Sequence, residues 1–327
     1  MFWQFPCITE GAAWRVHSNQ PVVVDGGIAH VYVGLPWATW IDLRHKRAQT
    51  PLQDIQIGYQ MRLAGARLQR LTRRLTQDGR VRQVRVHTVC QHVYWAEWLP
   101  HWQRMGITDL WLSHYQAEKL DAGLQGLTLH PWHLFAVNVE DSARSFGLRV
   151  GVSPQERRYL ASFIGAHMPH YLSDVRLKLR TLQNTPGFLI NVGDSWHFES
   201  VVYGQQIAKG SASPVGQLAE QAAIAEYNRV LSDSVFALCP AGAGPNTLRL
   251  WEALAVGAIP VLLGHVPVLP RGGSLPDVDW SEIVLRVPDA DISRLPSILT
   301  AVSAEERSMR QKLGMQAYAL VKAQRCF

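Results

Sequence analysis

Residues 234–261 read SVFALCPAGAGPNTLRLWEALAVGAIPV, and this stretch decides the fold. Val235 to Cys239 form a short apolar run typical of a buried strand, and Pro240 to Asn246 form a loop with two glycines. From Asn246 to Val256 the sequence predicts a helix, which Gly257 ends. Ile259 to Leu263 then return as a second strand. This order of elements predicts a parallel α/β unit.

The start of this helix has the properties of an anion-binding site. Glycines let the backbone approach a ligand closely, and the first N–H groups of a helix favour a diphosphate. Arg249 in the first turn can bind phosphate oxygens, and the Glu252 carboxylate can accept both hydroxyls of a ribose. The alternative is that the two form only a helical ion pair. The predicted ligand-binding residues of this segment are Gly242, Gly244, Asn246, Thr247, Arg249 and Glu252.

The remaining sequence alternates between strand and helix patterns. A chain of 327 residues fits two domains, and a proline-initiated capping signal at Ser153 to Glu156 places the boundary near residue 150. We expect an N-terminal domain over 1–150, whose first 50 residues look irregular or β-rich, and a C-terminal domain over 151–327. The C-terminal pattern includes a strand at Tyr159 to Gly165 and a helix at Tyr171 to Leu182. The expected fold class is α/β with two doubly wound, Rossmann-like domains that face each other across a cleft.

The same residues carry a family resemblance. The segment from Phe236 to Val261 resembles the signature of exostosin-like glycosyltransferases through Cys239-Pro240, Gly242, Thr247-Leu248-Arg249, Glu252-Ala253 and Gly257-Ala258-Ile259-Pro260-Val261. Upstream, Ser162-Phe163-Ile164-Gly165 followed by Arg176 resembles the strand, glycine turn and trailing arginine of that family. The resemblance covers about residues 157–320 and departs at Ala258, where the family usually has cysteine. It implies a GT-B architecture with a nucleotide-sugar donor in the C-terminal domain, so Gly165 and Arg176 join the predicted donor site.

The catalytic base is expected in the N-terminal domain, which shows no family match. His92 and His114 follow predicted strands at Val84 to Val89 and Thr108 to Ser113, and loops after strands often carry function. Asp25 and Glu97 are further candidates. The predicted helix N-terminus with Arg249 can stabilise the charge of a diphosphate without a metal, and the four cysteines do not have the spacing of zinc ligands, so we expect no metal and no cofactor beyond the nucleotide-sugar co-substrate.

Positive charge is concentrated between residues 41 and 90. Eleven Lys and Arg residues stand there against three Asp, whereas the whole chain has a formal charge of +6. Five of the eleven lie on a predicted amphipathic helix over 57–75, which indicates either a solvated arginine face or docking on an anionic membrane surface. No DNA- or RNA-binding motif accompanies the charge, so nucleic acid is not an expected partner. The sequence shows no secretory signal, and we expect a cytoplasmic protein, peripheral on the inner face of the membrane if the helix docks there.

These observations predict a metal-independent glycosyltransferase, and the family resemblance implies inversion. Its acceptor would be a glycan or a lipid-linked glycan, in bacterial surface polysaccharide or lipopolysaccharide synthesis. Two alternatives remain open. A nucleotide-sugar epimerase of the same fold would need no acceptor groove, and a non-catalytic module that binds a glycan or nucleotide would lack a working base.

Overall fold

The computed structural model describes residues 2–5, 7–45, 51–116, 126–195, 200–208, 210 and 213–327. The chain divides into two compact units. The first unit comprises Met1–His133, Pro270–Leu275 and Gln324–Phe327, and the second comprises Leu134–Leu269 and Pro276–Ala323. Each unit contains one five-stranded sheet. The expected α/β class, with one Rossmann-like sheet in each unit, is confirmed.

The sheet of the first unit has its strands in sequence order, and every neighbouring pair is parallel except the first. Its strands are β1 (Val23–Asp25), β2 (Ile28–Tyr32), β3 (Gln83–Cys90), β4 (Asp109–Leu112) and β5 (Thr128–Pro131). Its helices are α1 (Thr9–His17), α2 (Trp37–His45), α3 (Pro51–Thr76) and α4 (Leu99–Met105).

Helices cover both faces of this first sheet. The Trp37 indole N–H of α2 donates to the Thr88 hydroxyl at 2.8 Å, whereas Ala13 of α1 packs in a cluster with Val89. Thr88 and Val89 are neighbours on β3, so their side chains point to opposite faces. The expectation of an irregular or β-rich start is wrong, because α1 and α2 occupy much of the first 45 residues and bury tryptophan and aliphatic side chains.

The sheet of the second unit is entirely parallel. Its strands are β6 (Tyr159–Ala166), β7 (Phe188–Gly193), β8 (Ser234–Pro240), β9 (Ile259–Leu263) and β10 (Leu285–Val287), in the order β10-β9-β8-β6-β7. The chain leaves β6 toward one edge and later places β8 on the other side of β6. The order therefore reverses between β6 and β8, and ligands of such sheets bind outside the carboxyl ends of the strands at this point.

The helices of the second unit surround an apolar core that runs through all five strands. They are α5 (Val137–Glu140), α6 (Val175–Lys178), α7 (Pro214–Ser232), α8 (Leu248–Val256), α9 (Leu295–Ala301) and α10 (Ala304–Lys322). A π-helix spans Ser200–Ile207. The predicted helix over Tyr171 to Leu182 is only α6 followed by a 3-10 turn at Leu179–Leu182, because residues 171–174 serve as a turn before it.

The boundary between the units lies after His133 and not near residue 150. The segment after His133 belongs to the second unit because it is tied to α7 and α8. The Asn138 backbone N–H donates to Glu252 at 3.1 Å, and the Arg144 guanidinium pairs with Glu220 at 2.9 Å. The last four residues, Gln324–Phe327, return to the first unit, which the sequence pattern did not indicate.

Candidate functional site

The carboxyl ends of β6 and β8 bring most of the predicted ligand-binding residues together. Gly165 lies near the end of β6, and the loop from Pro240 to Asn246 follows β8 directly. Helix α8 begins after this loop, with Thr247 in an extended backbone conformation at its N-cap. This geometry follows from the reversal of strand order. The chain leaves β6 toward one edge of the sheet and leaves β8 toward the other edge, so the two connections separate at this point.

The N-terminus of α8 has no side-chain cap. Thr247 occupies the N-cap position without a side-chain hydrogen bond to the helix. Asn246 is buried, and its Oδ1 accepts from the Thr247 N–H and the Trp251 indole N–H, both at 2.9 Å. The Asn246 side chain thus fixes the loop against α8, and the partial positive charge of the helix start is not covered by a capping oxygen.

Arg176 holds the glycine loop in place. Its three guanidinium nitrogens donate to the carbonyls of Ala241 at 2.9 Å, Ala166 at 2.6 Å and Pro240 at 3.2 Å. Burial lowers the pKa of Arg176 to about 10, so the group stays charged at neutral pH. The structure therefore gives Arg176 a role that the sequence did not predict, which is to tie the ends of β6 and β8 together.

The predicted glycines make room for arginine side chains. A Cβ at Gly242 would lie 3.0 Å from a terminal nitrogen of Arg176, and a Cβ at Gly165 would lie 2.8 Å from the Phe163 ring and 3.2 Å from Arg249. The Gly242 N–H donates to the Gly244 carbonyl at 3.1 Å, which closes the loop on itself. A side chain at Gly242 would therefore collide with Arg176. A side chain at Gly165 would collide with Phe163 and Arg249.

Arg249 lies between two aromatic rings. Its guanidinium carbon is 4.6 Å from the centre of the Phe163 ring and 5.1 Å from the centre of the Tyr227 ring, and the group also donates to the Ile164 carbonyl. The side chain is half-buried. Stacking fixes the plane of the guanidinium at the helix start, where it would meet a bound phosphate.

Glu252 is fully buried, at 1% exposure, and both of its oxygens have partners. Oε1 accepts from the Asn138 N–H at 3.1 Å, and Oε2 accepts from the Tyr227 hydroxyl at 2.5 Å. Burial raises the pKa of Glu252, and the hydrogen bond from Tyr227 opposes that shift. Among the residues described, no ion pair joins Glu252 to Arg249, so the two are not the simple helical pair considered above. Glu252 is fully buried and each of its oxygens already accepts one hydrogen bond, so a ribose could reach this carboxylate only if the side chains around it moved.

The two candidate bases lie in the first unit, after β3 and β4 as predicted. His92 is buried, its Nδ1 accepts from the Tyr94 N–H at 3.0 Å, and its Nε2 lies 3.1 Å from Asp42. Both ring nitrogens are therefore engaged, and His92 offers none to an acceptor hydroxyl in this conformation. His114 is half-buried, and its backbone carbonyl accepts from the Trp95 indole N–H at 2.9 Å. A catalytic role for either histidine stays a prediction.

The sequence did not single out Tyr227, Asn138 or Arg144. Tyr227 lies on α7 and supplies both the ring beside Arg249 and the hydroxyl on Glu252. Arg144 donates to the Asn138 side chain at 3.1 Å and so supports the residue that bonds Glu252. No motif or spacing identifies these residues, since each acts through contacts between distant segments.

Helix α3 has a positively charged exposed face and an apolar buried face. On α3, the arginines at 62, 67, 70, 73 and 74 are exposed, and Ile57, Met61 and Leu68 are buried beneath them. Lys46 and Arg47, which were counted with this charge, lie outside the described residues. Leu52, Ile55 and Tyr59 at the start of α3 are also exposed.

The described part of the chain contains neither a metal-ligand cluster nor a helix that could span a membrane. Within it, no group of three or more His, Cys, Asp or Glu residues is placed to hold a metal ion. None of its helices combines the length and the apolar character needed to cross a bilayer.

Residues 139–302 match the family model of the Exostosin GT47 domain. This chain belongs to the exostosin GT47 family. The match contains the β6 and β8 edge, the glycine loop and α8, so the family relationship and the described geometry concern the same part of the molecule.

Plant proteins are among the similar sequences. A probable glucuronosyltransferase of Oryza sativa subsp. japonica is 39% identical over 89 residues, and a probable beta-1,4-xylosyltransferase of Arabidopsis thaliana is 36% identical over 87 residues. Each alignment covers 27% of this chain and 20% of the relative, so the chain matches about a fifth of the length of these relatives. A crystal structure of the pneumococcal O-GlcNAc transferase GtfA with UDP and GlcNAc is similar with a TM-score of 0.34 and 13% identity. That alignment covers 72% of this chain and 49% of GtfA.

Proposed function

We propose that this protein is a glycosyltransferase that moves a sugar from a nucleotide-sugar donor to a glycan or lipid-linked glycan. The observation that carries the proposal is the uncapped N-terminus of α8 with Arg249 beside it, at the reversal of strand order in a chain of the exostosin GT47 family. The relatives named as a glucuronosyltransferase and a xylosyltransferase support a sugar donor.

The chemistry follows from where charge develops. Sugar transfer breaks the bond between the anomeric carbon and the diphosphate, so negative charge grows on the leaving phosphate oxygen. The first N–H groups of α8 and the Arg249 guanidinium are fixed before the reaction and can stabilise that charge. Arg176 contributes indirectly, because it holds the loop carbonyls away from the phosphate and keeps the N–H groups in position.

A panel of nucleotide sugars tests this proposal against its alternatives. The purified protein is incubated with each sugar nucleotide, and the products are separated by anion-exchange chromatography. We expect slow release of nucleoside diphosphate from one donor, and faster release when an acceptor glycan is added. An isomerised sugar nucleotide would indicate an epimerase, and binding without turnover would indicate a non-catalytic module. Either result would contradict the proposal.

Two substitutions separate the site from general effects on the protein. Arg249→Gln removes the charge beside the helix start and should weaken binding of nucleoside diphosphate roughly 10- to 100-fold, because a hydrogen bond to a charged group contributes about 1.5–3 kcal/mol. Arg158→Gln removes an exposed arginine of the same unit and should leave the affinity unchanged. Calorimetric titration with the diphosphate measures both.

The proposal also includes the stereochemistry, the metal requirement and the biological role of the transfer. Inversion and metal independence come from the family resemblance and from the positive groups at α8. The relatives named above are plant proteins, so they support polysaccharide synthesis but give no support for the bacterial surface polysaccharide expected from the sequence. Titrating divalent cations into the donor assay tests metal independence, and addition of EDTA should leave the rate unchanged.

We further propose that α3 docks on an anionic membrane surface at the cytoplasmic face. Exposed arginines along the helix and exposed Leu52, Ile55 and Tyr59 at its start together form a surface that suits lipid headgroups and the adjoining acyl region. Replacing Arg70, Arg73 and Arg74 with Gln should lower affinity for phosphatidylserine vesicles about 100-fold, since each basic residue contributes about 1 kcal/mol.

A matched variant gives the control for the membrane test. Replacing the exposed arginines Arg158, Arg271 and Arg286 with Gln removes the same charge from other surfaces and should leave vesicle binding nearly unchanged. Equal loss of binding in the two triple variants would show that only net charge matters, and α3 would then be a solvated face.

A further inference from the structure

A cavity of about 530 Å³ lies in the first unit, beside the C-terminal end of α1 and strand β2. Its lining includes Trp14, Arg15, His17, His30 and Phe327, and no Asp or Glu is among the described residues that line it. The volume falls in the range of small-molecule sites. None of the residues predicted from the sequence lies in this cavity.

A chain of hydrogen bonds across the sheet fixes the proton positions of His30. The Trp111 indole N–H can only donate, and it lies 3.2 Å from Nδ1 of His87, so this nitrogen accepts. Burial lowers the pKa of His87 to about 3, and the neutral ring therefore carries its proton on Nε2. That proton points to Nδ1 of His30 at 2.9 Å. Burial also lowers the pKa of His30, so its own proton is on Nε2, on the opposite side of the ring.

His30 lines the cavity, and its Nε2–H is the ring group that is not bonded to His87. The Phe327 ring stacks on one face of His30, with centroids 5.2 Å apart. Arg15 adds one cation, and Trp14, at 42% exposure, adds an accessible aromatic face. Among the described residues, the lining side chains thus combine donors and a ring face, and none of them is acidic.

We propose that this cavity binds an acidic sugar unit of a glycan, with the sugar carboxylate on Arg15 and the His30 N–H and the sugar ring against Trp14. A single cation matches the single charge of a carboxylate better than the double charge of a phosphate. Ser18, Asn19 and Gln20 line the same cavity and can both donate to and accept from sugar hydroxyls. The binding itself does not depend on the proposed transfer activity.

Two oligosaccharides that differ only in charge test the proposal. Tetragalacturonate and its methyl ester share rings and linkages, and each is titrated into the full chain by calorimetry without any sugar nucleotide. We expect the acidic oligomer to bind at least tenfold more tightly than the ester. A long-range ¹⁵N–¹H spectrum of the histidines should show the Nε2–H form of His30 and a shift of that signal on binding.

Exposed residues provide variants that should fold. Arg15→Gln should remove the preference for the acidic oligomer, and Trp14→Ala should weaken binding of both oligomers. Arg62→Gln and Tyr59→Ala change exposed residues of α3 outside the cavity and should bind as the unaltered protein does.

Three results would overturn the proposal. These are equal affinity for the two oligomers, unchanged affinity in Arg15→Gln and Trp14→Ala, and tighter binding of uridine monophosphate that Trp14→Ala abolishes. The last would identify a nucleotide site. Because no donor is present, each of these results is independent of the sugar-nucleotide assay, and failure of one experiment leaves the other standing.

Discussion

Arg176 and Arg249 lie at the same sheet edge, but their surroundings differ. Every guanidinium nitrogen of Arg176 donates to a backbone carbonyl, whereas the Arg249 guanidinium lies over two aromatic rings and donates to the Ile164 carbonyl. A sequence pattern treats both as phosphate ligands, because it shows residue type and position but not which polar groups of the chain are nearby. The structure separates a positioning residue from a candidate ligand.

Arg176→Lys should lower the free energy of unfolding by several kcal/mol. A lysine cannot reach three carbonyls at once, and each buried polar group left without a partner costs about 1–3 kcal/mol. Urea denaturation followed by fluorescence measures the change. Arg180→Lys is the control, because Arg180 is largely exposed and bonds Asp194 at the surface. Equal stability of the two variants would contradict the role given to Arg176.

Substitutions of Glu252 and Tyr227 test whether a ribose binds at the Glu252 carboxylate. Glu252→Ala should weaken donor binding strongly if the carboxylate accepts ribose hydroxyls, and it should also destabilise the protein, since Asn138 and Tyr227 lose a buried acceptor. Tyr227→Phe keeps the ring beside Arg249 but removes the hydroxyl that donates to Glu252 Oε2, so this oxygen gains an acceptor site for a ribose hydroxyl. We expect Tyr227→Phe to bind nucleoside diphosphate as tightly as the unaltered protein or more tightly. Weaker binding, measured by calorimetry, would show that Glu252 needs this hydroxyl.

At the scale of elements, the strands and helices with strong patterns were predictable. Strand β9 has the predicted bounds, and β6, β8 and α8 agree with their predicted bounds within two residues. Helices α1 and α2 were missed because both are short and carry apolar residues on several sides. The N-terminus of α2 also depends on a distant residue, since the Glu10 carboxyl accepts from the Ala38 N–H at 3.0 Å.

Buried ionisable groups of the first unit predict a two-sided dependence of stability on pH. Burial lowers the pKa of His87 and of His133 to about 3, so the unfolded chain binds more protons between pH 3 and 6.5, and stability falls as the pH drops through that range. Burial raises the pKa of Glu10 to about 8, so the folded chain binds the extra proton between pH 4.5 and 8, and stability falls as the pH rises through that range.

Glu10→Gln separates the two effects. The amide keeps an acceptor for the Ala38 and Gln91 N–H groups but cannot ionise, so the loss of stability above pH 4.5 should diminish by up to about 1.4 kcal/mol per pH unit. The loss below pH 6.5 should remain. Urea denaturation across pH 4–8.5 measures both slopes, and an unchanged slope above pH 5 in the variant would contradict the assignment to Glu10.

For the whole molecule, the sequence predicted two α/β units and the part of the second unit that holds the candidate site. It could not predict the exact division, because the boundary after His133 depends on Asn138 and Arg144 contacting residues about 80 to 110 positions later. It also could not predict the strand order in which β6 lies beside β8. That order brings Gly165, Arg176 and the loop after β8 to one edge, and only contacts distant in sequence determine it.

The central claim is that the edge formed by β6, β8 and α8 binds the diphosphate of a nucleotide sugar. A crystal structure of the protein soaked with uridine diphosphate, and with the other nucleoside diphosphates in parallel, tests it most directly. The account predicts density for the diphosphate at the N-terminus of α8, within hydrogen-bond distance of the Arg249 guanidinium and the first N–H groups of the helix. A nucleoside diphosphate bound elsewhere on the chain, with this edge unchanged, would contradict it.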